Sequence, residues 1–247
     1  MLAFVVLPLL VVVYYAFTNG EGEFTFDNFI GFFTSGNTIG TLLYSFMIAI
    51  SVTIVCLVIA YPVAFALARS EAKYRAVLLM LLVIPMWINF TLRITALKEI
   101  LTFIEGNLAY HPFINTAIGM SYDFLPFMIL PIYTTLEKID NSLIEASYDL
   151  GASYSSTFLK VVLPLSVPGI ISGITMVFLP AMTNYVVLDM LYNSTYIMGS
   201  LIGSYFSAYD WHNGSMISIV LFSIIVIITL FTNKFGEPDS ESKGAIL

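Results

Sequence analysis

The stretch Glu145–Ser166, EASYDLGASYSSTFLKVVLPLS, starts polar and acidic, carries one glycine near its middle and enters an apolar run that contains a proline. It sits in a chain of 247 residues that are 59% hydrophobic and only 10% charged. Soluble domains hold roughly 45–50% apolar and about 25% charged residues. A soluble core has no use for so much apolar surface, so the excess is expected to face lipid. The apolar runs are long and continuous, which points to helical spans and away from the alternating strands of a membrane barrel. The fold class is therefore an all-α membrane protein, a single transmembrane domain over residues 1–247 with about six helices. The spans fall roughly at 1–17, 40–68, 76–98, 112–136, 158–187 and 214–233. The first is short, and the chain is expected to lack some native residues before Met1.

Within the quoted stretch and just before it, Ser142 followed by Glu145 fits a capping box, with Asp140 and Asn141 as alternative caps. Gly151 is placed to end the helix so begun. Ser153, Ser155 or Ser156 then caps a second helix that enters the membrane. The segment reads as a short helix over about 141–151, a sharp turn, and a second helix. Small residues (Ala146, Ser147, Gly151, Ala152) allow close approach by a partner, and a plain loop helix against the span ends has the same spacing. Pro164 removes the backbone donor that would bond Lys160, and Pro168 and Gly169 follow, so a kinked fifth span is expected.

Charge sets the orientation. Arg69, Lys73, Arg75, Lys138, Lys160, Lys234 and Lys243 collect on one side of a six-span arrangement, leaving Arg93 and Lys98 of the nine basic residues towards the other. The positive-inside rule puts that side, the quoted stretch and both termini in the cytoplasm. The outer side carries Glu21, Glu23, Asp27, Glu99, Glu105, Asp189 and Asp210. These read either as solvated loops or as a field that favours cationic solutes.

Asp123 is the odd residue, a charge within the fourth span flanked by Tyr122 and Phe124. A carboxylate at a helix centre costs about 2.5–3.5 kcal/mol on insertion scales, so it is expected to face a cavity or a partner. It is a candidate for holding an ammonium group in a pathway, with Arg93 as the alternative partner. Asp189 and Asp210 lie among Tyr185, Tyr192, Tyr205, Tyr209 and Trp211. That cluster is either an interfacial aromatic belt or a surface suited to alkyl cations.

Other chemistry is sparse. No phosphate-binding G-x-x-x-x-G-K-[ST] occurs, nor H-E-x-x-H. The single Cys56 excludes a disulfide within the chain. His111 and His212 are far apart and read as interfacial side chains or, alternatively, as a metal pair or proton relay. No metal, cofactor or nucleic-acid site is expected. Active transport would need energy from another chain. A channel, an ion-coupled carrier or a scaffold that docks a partner fits the same absence.

One resemblance is specific. Glu145-Ala146-Ser147, three residues, Gly151, nine residues, Val161, one residue, then Leu163-Pro164 resembles the EAA signature of ABC importer permeases. Ser147 stands where the signature has alanine, and Val161 where it has isoleucine. The resemblance implies a type I ABC importer permease core, with a coupling helix at 141–151 seated in a cleft of a cytoplasmic ATPase. Glu145, Ala146, Ser147, Asp149, Gly151, Leu163 and Pro164 are the coupling residues it implies. DFLPFMILPIYTTLEK (123–138), VVLPLSVPGIISG (161–173) and the later spacing of Leu201, Phe206, Trp211 and Gly214 are similar to B-type permeases of spermidine/putrescine importers. That family implies a non-catalytic subunit of the bacterial inner membrane, paired with a second permease. It also implies two ATPase subunits, which bind the ATP and Mg, and an extracytoplasmic binding protein. The same core carrying thiamine, iron or sulfate fits the signature equally.

Overall fold

A computed structural model describes residues 2–191 and 197–236. Tyr192 and Lys243 lie outside the described residues. The helices are α1 (Leu2–Ala16), α2 (Asp27–Thr34), α3 (Gly36–Arg69), α4 (Ala72–Trp87), α5 (Phe90–Glu105), α6 (Pro112–Glu137), α7 (Asn141–Asp149), α8 (Tyr154–Thr157), α9 (Leu163–Thr183), α10 (Tyr185–Leu191), α11 (Met198–Ser207) and α12 (Trp211–Gly236). A 3₁₀ turn, Leu108–Tyr110, precedes α6, and a π segment, Phe158–Val162, joins α8 to α9. Among the described residues the only bridge between extended segments is Thr18 with Phe24.

Four helical stretches are long and apolar enough to cross a membrane: α3, α6, the run from Tyr154 to Thr183, and α12. A bent pair makes a fifth candidate, and α1 is a shorter apolar helix. Large apolar side chains such as Leu43, Met47, Val58 and Phe103 stand exposed around the outside. In water such a surface would drive aggregation, whereas lipid or a second subunit accommodates it.

The stretch expected as one span over 76–98 is instead two helices that meet at 96°. Ile88 is extended and Asn89 is non-helical, and the Asn89 side chain accepts the Thr91 N–H at 2.9 Å, which starts a new helix. An asparagine cap after a proline (Pro85) ends one helix and begins another in two residues. The stretch expected over 158–187 also ends early: α9 stops at Thr183, and α10 begins after Asn184.

The centre of the molecule is a three-way seam of α3, α6 and α9. Each contributes a ridge of residues four apart: Ile48, Val52, Cys56, Ala60 and Ala64 on α3; Met120, Phe124, Met128, Ile132 and Leu136 on α6; Gly169, Gly173, Val177 and Ala181 on α9. Residues at that spacing share one helix face. Inside a bilayer, apolar surface gains little by leaving lipid for protein, so close packing between small residues holds the helices together. The approach is tightest at Gly169. A Cβ there would lie 2.5 Å from Thr135 Oγ1 and 2.7 Å from the Pro131 carbonyl. At Gly173 it would lie 2.6 Å from Met128 Sδ.

Gly169→Ala is therefore expected to overpack the α6–α9 contact and cost about 1–3 kcal/mol. The readout is a lower unfolding midpoint of the protein in detergent. Gly203→Ala on α11, where nothing stands within 4 Å of the added carbon, is the control and is expected to leave the midpoint unchanged or raised.

Candidate functional site

Two regions carry the residues singled out by sequence: the turn around α7, and the part of α5, α6 and α10 near Arg93 and Asp123.

At α7 the N-cap is Asp140, one of the three candidates, and not Ser142 in a capping box. Its carboxylate accepts the Ser142 N–H at 2.9 Å, and that bond holds Asp140 below the ordinary carboxylate range. The helix ends in a Schellman turn. Ala152 N–H reaches Ser147 O at 3.0 Å and Gly151 N–H reaches Tyr148 O at 2.8 Å, with Gly151 at φ +81°. This geometry favours glycine because a side chain there strains the backbone. Ser153 then accepts the Ser156 N–H at 3.3 Å and starts α8.

Ser147, which departs from the EAA pattern, makes a bond that alanine cannot make. Its hydroxyl lies 2.7 Å from the buried Thr157 Oγ1 and also donates to Ile144 O. It ties α7 to α8 across the glycine turn. Glu145, Ala146, Asp149 and Gly151 are exposed. So are Leu143 and Leu150, the latter 89% exposed, an apolar tip on an otherwise polar helix. Behind α7 lies an open groove of about 430 Å³ lined by Phe65, Arg69, Asn141, Ile144, Glu145, Tyr148 and Phe158.

The link from this turn to the membrane is the π segment. Leu163 N–H bonds Phe158 O, one residue further back than an α-helix would reach. Pro164 follows in the first turn of α9, where a missing N–H costs little. The extra residue thus resets the helix where the proline would otherwise interrupt it. Leu163 is half-buried and Pro164 exposed.

In the second region, Asp123 is 6% exposed and meets Arg93, 10% exposed, through Arg93 Nη2 and Asp123 Oδ1 at 2.6 Å. The pair joins α5 to α6 beneath the bend after α4. Phe124 is also buried, but Tyr122, one residue away on another face, is 43% exposed. Tyr185 and Asp189 on α10 are exposed. Asp210 lies on a separate element, where its carboxylate accepts the Asn213 N–H at 3.1 Å and its side-chain amide at 2.8 Å. It acts as a cap for α12, and Trp211 beside it packs near Phe206 and Tyr15. The histidines have separate partners: His111 contacts Glu105, and His212 Nδ1 lies 3.1 Å from Tyr15 O. Among the described residues no group of three His, Cys, Asp or Glu could hold a metal ion.

Sequence reasoning missed Thr157, the π segment and the break at Asn89. Ser147 in place of alanine was the available signal for the first. Pro164 was the signal for the second, and the Pro85…Asn89 pair for the third.

Residues 57–235 match the family described as binding-protein-dependent transport system inner membrane component. The spermidine/putrescine transport system permease protein PotB of Haemophilus influenzae is 40% identical over 201 residues, covering 74% of this chain and 70% of the relative. PotB of Escherichia coli K12 is 37% identical over 205 residues, covering 76% and 74%. By fold, the chain is similar to one from a bacterial ABC transporter involved in import of the acidic polysaccharide alginate. The TM-score is 0.71 at 17% identity, over 95% of this chain and 90% of that one. A chain of the inward-facing MetNI methionine ABC transporter gives 0.64 at 17% identity, over 79% and 93%. With its multi-pass helical core and a family match over most of its length, the chain belongs to the inner-membrane permease components of binding-protein-dependent transport systems.

Proposed function

We propose that this chain is the translocating permease of an ATP-driven polyamine importer, with spermidine and putrescine as cargo. The observation that carries the reading is the likeness to spermidine/putrescine permeases across most of the chain. The chain itself hydrolyses nothing in this reading. Two ATPase subunits bind ATP and Mg, a second permease completes the pathway, and an extracytoplasmic binding protein delivers the polyamine.

In this assembly α7 is the coupling helix. It is short, capped at both ends and exposed along Glu145, Ala146 and Asp149, with Leu143 and Leu150 as apolar contacts for a cleft. Rigid capping matters because a docked element transmits force only if it does not unwind. Ser147, through Thr157, and Gly151 fix its angle to α8. Leu163 and Pro164 pass the displacement into α9. The side holding α7 also holds Arg69, Lys73, Arg75, Lys138 and Lys160, which supports a cytoplasmic placement for it and for both termini.

For the pathway, Tyr122, Tyr185 and Asp189 supply the accessible surface: two aromatic faces and a carboxylate, a combination that suits alkyl ammonium groups. Asp123 is assigned to its ion pair with Arg93, and Phe124 to packing behind it. Neutralising two charges against each other inside the membrane lowers the cost of burying both, and leaves neither as a strong cation site.

Four outcomes test this. Spermidine or putrescine, presented with the binding protein, is expected to stimulate ATP hydrolysis by the copurified complex, whereas thiamine and sulfate are not. Glu145→Arg is expected to lower stimulated hydrolysis about tenfold, the equivalent of roughly 1.4 kcal/mol of lost docking. Asp123→Ala strands Arg93 and is expected to cost about 3–5 kcal/mol, seen as lost complex yield, and Arg93→Met with Asp123→Leu is expected to recover most of it. Asp123→Asn that assembles normally is expected to keep uptake, and loss of uptake there would return Asp123 to the pathway.

A further inference from the structure

Covalently, α7 is joined to the membrane helices through residues 138–140 to α6 and through α8 and the π segment to α9. A non-covalent connection to α3 lies at the start of α7. Arg69, the last residue of α3, donates from Nη1 to the side-chain oxygen of Asn141, the first residue of α7. Its guanidinium lies over the Phe65 ring, 5.7 Å from the centroid. Arg75, in the first turn of α4, reaches three places at once. Nη1 bonds Glu137 Oε1 at 2.8 Å, while Nη2 donates to Ala68 O at 3.2 Å and Ser70 O at 3.1 Å. Glu137 is the last residue of α6.

One guanidinium thus joins the end of α3, the start of α4 and the end of α6. The planar fork of arginine suits this, since its donors diverge at fixed angles. Ala68 O and Ser70 O belong to a helix end, where carbonyls lack partners within the helix and favour a cation. Arg75 and Glu137 are 27% and 40% exposed, and a pair so open to solvent adds little to stability. Its effect is geometric: α3 and α6 end in register with each other, and Arg69 holds the start of α7 to that junction. Phe65 extends the contact to the π segment, its ring centroid 5.8 Å from that of Phe158.

We infer that Arg69 and Arg75 are positioning residues for energy coupling, clamping the start of α7 and the end of α6 to the α3–α4 turn so that displacement of α7 moves α3 together with α9. The inference rests on the reading of α7 as the coupling helix. Without the clamp, displacement of α7 reaches α6 through residues 138–140 and α9 through α8, but α3 only through side-chain packing, so α3 is left behind. ATP is then spent with less solute moved.

The test uses the full importer in proteoliposomes, with spermidine-loaded binding protein, and reads spermidine imported per ATP hydrolysed. Arg75→Gln and Arg69→Gln are each expected to lower that ratio about fivefold, the low end of coupling between distant sites. Copurification of the ATPase subunits is expected to persist. A merely structural role would lower the yield and unfolding midpoint and leave the ratio of surviving complexes intact. Arg75→Lys keeps the charge but loses the fork, and is expected to assemble with a reduced ratio. It decides the matter if Arg75→Gln fails to assemble. A wild-type ratio in Arg69→Gln and in whichever Arg75 variant assembles overturns the inference. Glu145→Arg, run in parallel, separates the two readings: intact assembly and stimulated hydrolysis there would overturn the docking of α7, whatever the arginine variants do.

Discussion

Lipid offers the backbone no hydrogen-bond partner, so each peptide group at membrane depth has to be satisfied within the protein. The architecture follows from that constraint. The chain meets it with long uninterrupted helices where it faces lipid, α3 and α12 above all, and confines departures to places where another group takes over. At Asn89 the side chain supplies the acceptor that the new helix lacks. At Phe158–Val162 the ladder shifts by one residue, so that Pro164 falls where no donor is required. At Gly151 the Schellman bonds close the end of α7 before the chain turns back. Each irregularity is thus a fixed geometry with a defined partner, and none is slack.

The second consequence concerns cohesion. Once apolar side chains are as comfortable in lipid as in protein, helices stay together through proximity, and proximity requires small residues. The α6–α9 contact meets that need with Gly169 and Gly173 against Thr135, Pro131 and Met128. Polar ties add to this packing, among them Tyr61 with Ser166 Oγ at 3.0 Å, Met198 N–H with Ser45 Oγ at 2.9 Å, and the Arg93–Asp123 pair. The α6–α9 pair moves as a block, because sliding one past the other would push a side chain into the space that only a glycine leaves open.

What was legible in the sequence divides along the same line. The apolar runs of α3, α6 and α12 could be read directly, because lipid demands them residue by residue. The turn after α7 could be read as well, since Gly151 is required by a positive φ that a short motif reveals. The cap at Asp140 was one of three adjacent candidates, and propensity cannot choose between neighbours whose side chains all reach an N–H. The break in the third span was hidden because Ile88 and Asn89 interrupt an otherwise apolar run by only two residues, and periodicity averages over more than that. Arg93 and Asp123 were each visible as costly charges, and their pairing was raised as an alternative. Only the fold places α5 against α6 and gives the pair its 2.6 Å contact.

Ser147 shows how a departure from a pattern can carry more information than a match. Alanine at that position would satisfy packing and leave the α7–α8 angle to the glycine turn alone. Serine adds a hydroxyl that meets the buried Thr157 Oγ1 at 2.7 Å, so the helix and the element that follows it are joined on both sides of Gly151. The need for a second tie is physical. A glycine in the left-handed region is permitted there, but it is also the residue with the most freedom to leave. An element that is to transmit a displacement into α9 cannot pivot on such a residue without a brace. The hydroxyl pair is that brace at one end of α7, as Arg69 is at the other, and together they tie the short helix to the seam it is proposed to drive.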